Sequence, residues 1–144
     1  MANELYSKEV AVEVDMGVAP AEDWKLLVCV ISKSLSQSLA SVTINNDCTG
    51  DFVRNLPTDI SWQFSFDGHI NQDPTADEVG ANEVLELQKT KQVKPWRFRS
   101  LDGSYYRKGP GFISQCDESG SAGEYMTYSC TITGSDELET IEAT

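Results

Sequence analysis

A chain of 144 residues reads as one domain, long enough to bury roughly two-thirds of its unfolded surface. At 40% hydrophobic and 24% charged residues it needs neither a disulfide scaffold nor a metal for stability. The net charge of −12 excludes tight binding to DNA, RNA or anionic membranes through charge attraction.

The first residues, MANELYSKEVAVEVD, are charged throughout and lack the apolar core of a secretory signal. The longest apolar run, LLVCVI from Leu26 to Ile31, is far short of the ~20 residues that span a bilayer. The expectation is a protein made in the cytoplasm, with reduced cysteines and no membrane partner. Residues 1 to about 22 read as an arm or an edge strand, because Val10, Val12 and Val14 alternate with Ala11, Glu13 and Asp15. After the loop GVAPAED, WKLLVCVIS is apolar on both faces, which predicts a strand covered on both sides. SVTINND and DISWQFSFDGH alternate, the second placing Ile60, Trp62, Phe64 and Phe66 inward against Ser61, Gln63, Ser65 and Asp67.

Between these strands lies CTGDFVRNLPTD, residues 48 to 59, long against the 2–5 residues usual in a hairpin. Its apolar Phe52, Val53 and Leu56 mark a candidate contact surface. One helix is predicted, in ANEVLELQKTKQ, with Val84, Leu85 and Leu87 as an apolar stripe, acids early, lysines late, and Pro95 as its stop. PWRFRS, SYYRKGPGFISQC and EYMTYSCTITG read as three more strands. In the last, Met126, Tyr128, Cys130 and Ile132 share one face, and DESGSAG is the turn before it. Cys130 is therefore expected in the core. One helix among six or seven strands means a mainly β domain.

Catalytic and metal chemistry find little footing. Cys29, Cys48, Cys116 and Cys130 form no C-x-x-C pair, and the single histidine, His69, is near none of them. No G-x-S-x-G elbow presents a serine, DGHINQD fails the calcium-loop pattern, and GPGFIS precedes a strand instead of a helix. No catalytic, cofactor-binding or metal residue is assigned. Charge is segregated: Lys89, Lys91, Lys94, Arg97, Arg99, Arg107 and Lys108 hold seven of the eleven bases, and none follows Lys108. A solvated surface is the plain reading, and docking on copies of itself the sharper one.

The ordered series WKLLVCVIS, RNLPTDISWQFSFDGH, ANEVLELQKTK, VKPWRFRS, YYRKGPGFIS and GEYMTYSCTITGSDEL resembles the tail tube (major tail) proteins of long-tailed bacteriophages, over about residues 22 to 138. The resemblance implies a mainly β, two-sheet β-sandwich or barrel-like tail tube fold with one flanking α-helix. It implies an arm at 1–22, a sandwich domain at 23–138 and a tail at 139–144. Six copies are expected to form a ring, and rings to stack into a hollow tube for DNA, which passes without specific binding. Expected partners are further copies and other tail proteins (tape measure, tail terminator, tail tip), in a virion tail assembled in the host cytoplasm. Asp51, Phe52, Val53, Arg54 and Leu56 become candidates for contacts between rings. Lys89, Lys91, Lys94, Arg97 and Arg99 become candidates for charge contacts between subunits. No enzyme activity and no cofactor are implied. Three alternatives stay open: a type VI secretion-like tube, an immunoglobulin-like or lectin-like module using Trp96, Tyr105 and Tyr106, and a hydrolase with an unrecognised site.

Overall fold

The computed structural model describes residues 10–17, 21–27, 30–44, 50, 52–70, 78–100 and 104–140. Its strands are β1 (Val10–Asp15), β2 (Trp24–Leu27), β3 (Val30–Ile44), β4 (Arg54–His69), β5 (Glu78–Val79), β6 (Lys94–Ser100), β7 (Tyr106–Ser119) and β8 (Thr127–Gly134). The helix α1 (Ala81–Lys89) lies between β5 and β6. The mainly β reading with one helix holds. The two expected sheets, however, are two parts of one hydrogen-bonded sheet, in the order β3-β4-β8-β7-β6-β1-β2-β5.

That sheet curls until its parts face each other. Phe64 on β4 and Phe98 on β6 stack with ring centroids 3.7 Å apart, although β8 and β7 intervene in the strand order. Around them are buried Val12 and Val14 from β1, Trp96 from β6, Phe66 from β4, and Cys130 and Ile132 from β8. The indole of Trp96 donates to the Gly111 carbonyl at 3.2 Å, which accounts for the aromatic content of VKPWRF. Burying one such ring contributes about 1.5–3 kcal/mol.

Several expectations are corrected. Val10–Asp15, read as part of an arm or an edge strand, runs inside the sheet between β6 and β2. Its valines face the core while Glu13 turns to the opposite side, so the alternation drives the strand inward rather than outward. Residues 1–9 lie outside the described residues. WKLLVCVIS is not one strand: β2 ends at Leu27 and β3 begins at Val30, with 28–29 outside the described residues. Leu26 and Ile31 are exposed, so nothing among the described residues covers both faces. Beyond Leu138, Glu139 exchanges backbone hydrogen bonds with Lys108 at 2.9 and 2.6 Å, which ties part of the expected tail to β7.

The helix buries Ala81, Val84 and Leu87, with Leu85 only half-buried. The Glu83 carboxylate accepts from the Gly80 N–H at 3.0 Å, satisfying a donor at the helix start. Pro95 does not stop the helix; it sits within β6. The stop is at Lys91, which takes φ 57°. This lets the Gln92 N–H reach the Leu87 carbonyl and the Lys91 N–H reach that of Gln88.

Candidate functional site: a hydroxyl-rich sheet face and two open edges

Side chains alternate across a strand, so residues of β3, β4, β8 and β7 that miss the core share the opposite face. The register aligns them in rows. Ser32, Asp67, Ser129 and Asp117 form one; Ser34, Ser65, Thr131 and Gln115 the next; Ser36, Gln63, Thr133 and Phe112 a third. Ser38 beside Ser61 continues the series on β3 and β4. None of these positions is Lys or Arg, and Asp67 and Asp117 are the carboxylates.

The polar side chains of this face bond one another within and across strands. Ser32 donates to one Asp67 carboxylate oxygen at 2.8 Å and Ser129 donates to the other. Gln115 donates to Asp117 at 2.8 Å, and Thr133 to Ser114 at 2.8 Å. Lys33, a base of β3, belongs instead to the row of Phe66, Cys130 and Cys116 on the core side. Burial there pushes its amine below the usual lysine range. Sequence reading missed the face as a whole. Its signal was present in the alternation SKSLSQS, SWQFSFD and TYSCTIT, but only the pairing register shows that the polar halves meet.

The same four strands leave two backbone edges open. β3 is the outermost strand, so among the described residues its 15 positions have no strand neighbour on one side. β7 pairs with β6 only through residues 106–111, so among the described residues 112–119 bond to β8 alone. An exposed edge is a template for another strand.

β4 pairs with β8 only from Gln63 to His69, so residues 54–61 project with β3 as a two-stranded ribbon. The second half of the expected loop at 48–59 is therefore strand, since β4 begins at Arg54. Apolar partners Leu39–Ile60 and Val42–Leu56 lie across the ribbon, on either side of a register shift. Ile60, expected inward, is 66% exposed because the ribbon has run beyond the core. Phe52 is 84% exposed and Val53 also faces solvent. Arg54 and Leu56 are exposed strand residues. Asp51 lies outside the described residues.

Trp62 anchors the ribbon's base. It lies against Gly109, Gly111 and Gly134, where a Cβ at Gly109 would come within 2.9 Å of the indole and one at Gly134 would overlap it. Its N–H donates to the Asp136 carbonyl at 2.7 Å, holding the segment after β8 in place.

The candidate charge residues separate into two groups. Arg97 and Arg99 bind Glu13 of the same chain, at 3.1 and 2.8 Å. Arg97 also covers the Trp24 ring at 4.2 Å. Burial acts to raise the Glu13 carboxyl, but hydrogen bonds and charge from Arg97 and Arg99 outweigh it and hold the group below its usual range. Lys89 lies 3.6 Å from Glu86 on the exposed helix surface. Lys91 is exposed and Lys94 half-buried, and neither makes an ion pair among the described residues.

Cys116 and Cys130 are direct partners across β7 and β8, both free thiols. The hydrogen bond between them pushes the Cys130 thiol far up, with burial adding to the rise, and draws Cys116 down against the effect of its burial. Among the described residues no three His, Cys, Asp or Glu side chains gather to hold a metal. His69, exposed at the end of β4, meets Tyr125 edge-on at 5.9 Å. Trp96 and Tyr106 are buried and Tyr105 lies under Arg107, so the three make no open aromatic patch.

No family model matches the sequence, and no curated protein is detectably similar to it. Solved structures are similar in fold. The tail of an empty gene transfer agent particle, refined helically with C6 symmetry, matches with TM-score 0.75 at 13% identity over 96% of this chain and 100% of that one. The SPP1 tail tube matches with TM-score 0.75 at 8% identity, over 98% of this chain and 81% of that one. The anti-feeding prophage baseplate matches with TM-score 0.66 at 10% identity, over 99% and 100%. The chain thus has, over nearly its whole length, the fold seen in tail and tail tube structures.

Proposed function

We propose that the chain is the repeating structural subunit of a phage-like tail tube, without catalysis. Six copies join into a ring and rings stack into a hollow tube through which DNA passes, in a virion tail. One observation carries this reading: a base-free hydroxyl face and two open edges occur on the same four strands. In a ring, the open edge of β3 adds to residues 112–119 of β7 in the next copy. The contact is heterologous, and a rotation that closes makes a ring. The hydroxyl face then lines the bore. Phosphates meet no cation there, so they release no counterions and gain no hold. The lumen owes its sign to Asp67 and Asp117, and most of its polarity to neutral hydroxyls.

The described part of the 48–59 stretch, Phe52, Val53, Arg54 and Leu56, supplies contacts between rings. Lys89, Lys91 and Lys94 remain the candidates for charge contact between subunits. The arm at 1–22 and the tail at 139–144 in this reading contribute only outside β1 and the Glu139 pairing. Partners at the ends of the tube, and the tape measure within it, belong to the same proposal.

A second reading, a subunit of a secretion-like tube or of a tube's end, draws on the likeness to the anti-feeding prophage baseplate and its tube terminating cap. Negative-stain micrographs of the purified protein test the main reading. Rings about six-fold in symmetry and long tubes are the expected result; a strict monomer at high concentration overturns it. Single capped rings that never extend favour the second reading.

A further inference from the structure

Apart from Ile31 and Phe112, the exposed large apolar side chains of the hydroxyl-face strands and their connections lie at two ends. One end is the ribbon, with Leu39, Val42, Phe52, Val53, Leu56 and Ile60. The other is the β7–β8 tip, where Tyr125 is 84% exposed beside exposed Met126. The pairing register sets these ends apart. His69 on β4 lies opposite Thr127 at the tip, while Arg54 of the same strand lies at the far end of the ribbon. Fifteen strand residues at ~3.3 Å each separate them by about 50 Å, so a chain cannot seat its own ribbon on its own tip.

Charge differs between the outermost residues of the two ends, although the ribbon also carries exposed Asp59 nearer its base. Arg54 is exposed next to Phe52 and Val53. The tip carries exposed Glu118 and Glu124, and no Lys or Arg follows Lys108 in the sequence. The tip is also built to hold its shape. Glu124 N–H donates to the Ser121 carbonyl at 3.0 Å, Ile70 N–H donates to the Met126 carbonyl at 3.0 Å, and the His69 ring supports Tyr125.

We infer that the ribbon of one copy docks on the β7–β8 tip of a copy in the adjoining ring, packing Phe52 and Val53 against Tyr125 and Met126 and setting Arg54 against Glu118 and Glu124. This rests on the tube reading and adds to it the surface that receives the ribbon. Because opposite ends of the same sheet are complementary, every ring presents the same ends in the same direction, and stacking is polar and unlimited. Apolar contact supplies the attraction, and the charge pair selects the orientation.

The test compares the full-length protein with Arg54→Glu, with Tyr125→Ser, and with Arg54→Glu combined with Glu118→Arg and Glu124→Arg. Negative-stain counts give the tube length, and thermal melts monitor the fold. The single changes are expected to leave rings that do not stack, and the combined change to restore tubes. A second measurement uses Val53→Cys with Tyr125→Cys, which under a mild oxidant should give a ladder of crosslinked chains absent from the parent protein. Normal tubes from both single variants, or no ladder from a protein that forms tubes, overturns the docking contact alone. A parent protein that forms neither rings nor tubes overturns the tube reading instead.

Discussion

The Trp62 indole occupies the space that a side chain on Gly134 would need. β4 crosses the end of β8 there, and the Trp62 N–H holds the Asp136 carbonyl. Core packing, ribbon and C-terminal segment therefore meet at one contact between a large ring and a residue with no side chain.

Gly134→Ala should therefore destabilise the domain by overpacking, by about 1–3 kcal/mol. Gly123→Ala is a useful contrast: a Cβ there meets nothing, but φ is +86°, so its cost is backbone strain. Urea unfolding of both variants measures the costs. A Gly134→Ala protein as stable as the parent would show that the indole can move aside.

Glu13 predicts an acid-side dependence of stability. Its carboxyl is held low in the folded state by Arg97 and Arg99, so the folded form binds its proton less readily than the unfolded chain. That contribution is present above the unfolded value, near 4.3 for a free glutamate, and is lost as pH falls through the lower folded value. Glu13→Gln should accordingly lose stability at neutral pH and converge with the parent in acid. Denaturant midpoints across pH measure it, and a gap that stays constant with pH would refute the pairing.

The paired thiols should differ in reactivity. Cys116 is half-buried with its thiol drawn down, while Cys130 is buried with its thiol pushed up. A maleimide is expected to label Cys116 well before Cys130, as read by peptide mass mapping. Cys130→Ala should cost roughly 1 kcal/mol through a small cavity. Equal labelling of both residues, or stoichiometric zinc in the purified protein, would contradict this picture.

The hydroxyl face should ignore DNA until it is given a cation. A gel-shift titration of the assembled protein with short duplex DNA should show no retention at physiological salt. Asp67→Asn should leave that unchanged, since no base is exposed by the loss. Ser65→Lys, repeated around each ring, should retain DNA and do so more strongly as salt is lowered. Micromolar binding by the parent protein would mean that the face has been misread as a passage.

The sequence by itself determined much of the local structure. Alternation at Val10–Val14, Ile60–Phe66 and Tyr128–Ile132 marks strands because one face must bury its apolar residues, and that requirement does not depend on partners. The acid-to-lysine gradient of the helix, and the surplus of negative charge, could be read for the same local reasons. Only the tertiary structure decided where the strands go. Alternation states that one face is buried but not which strand lies beside it, so from sequence Val10–Asp15 reads as an arm or an edge strand and Arg54–Asp59 as a loop. It also cannot tell a core face from its continuation beyond the core, which is why Ile60 was placed inward. Charged residues were harder still: Arg97 and Arg99 looked available to a neighbour until pairing across β1 and β6 set Glu13 between them. The hydroxyl face emerged last, because it exists only where the register lines up four separate strands, and register is a property of the folded sheet.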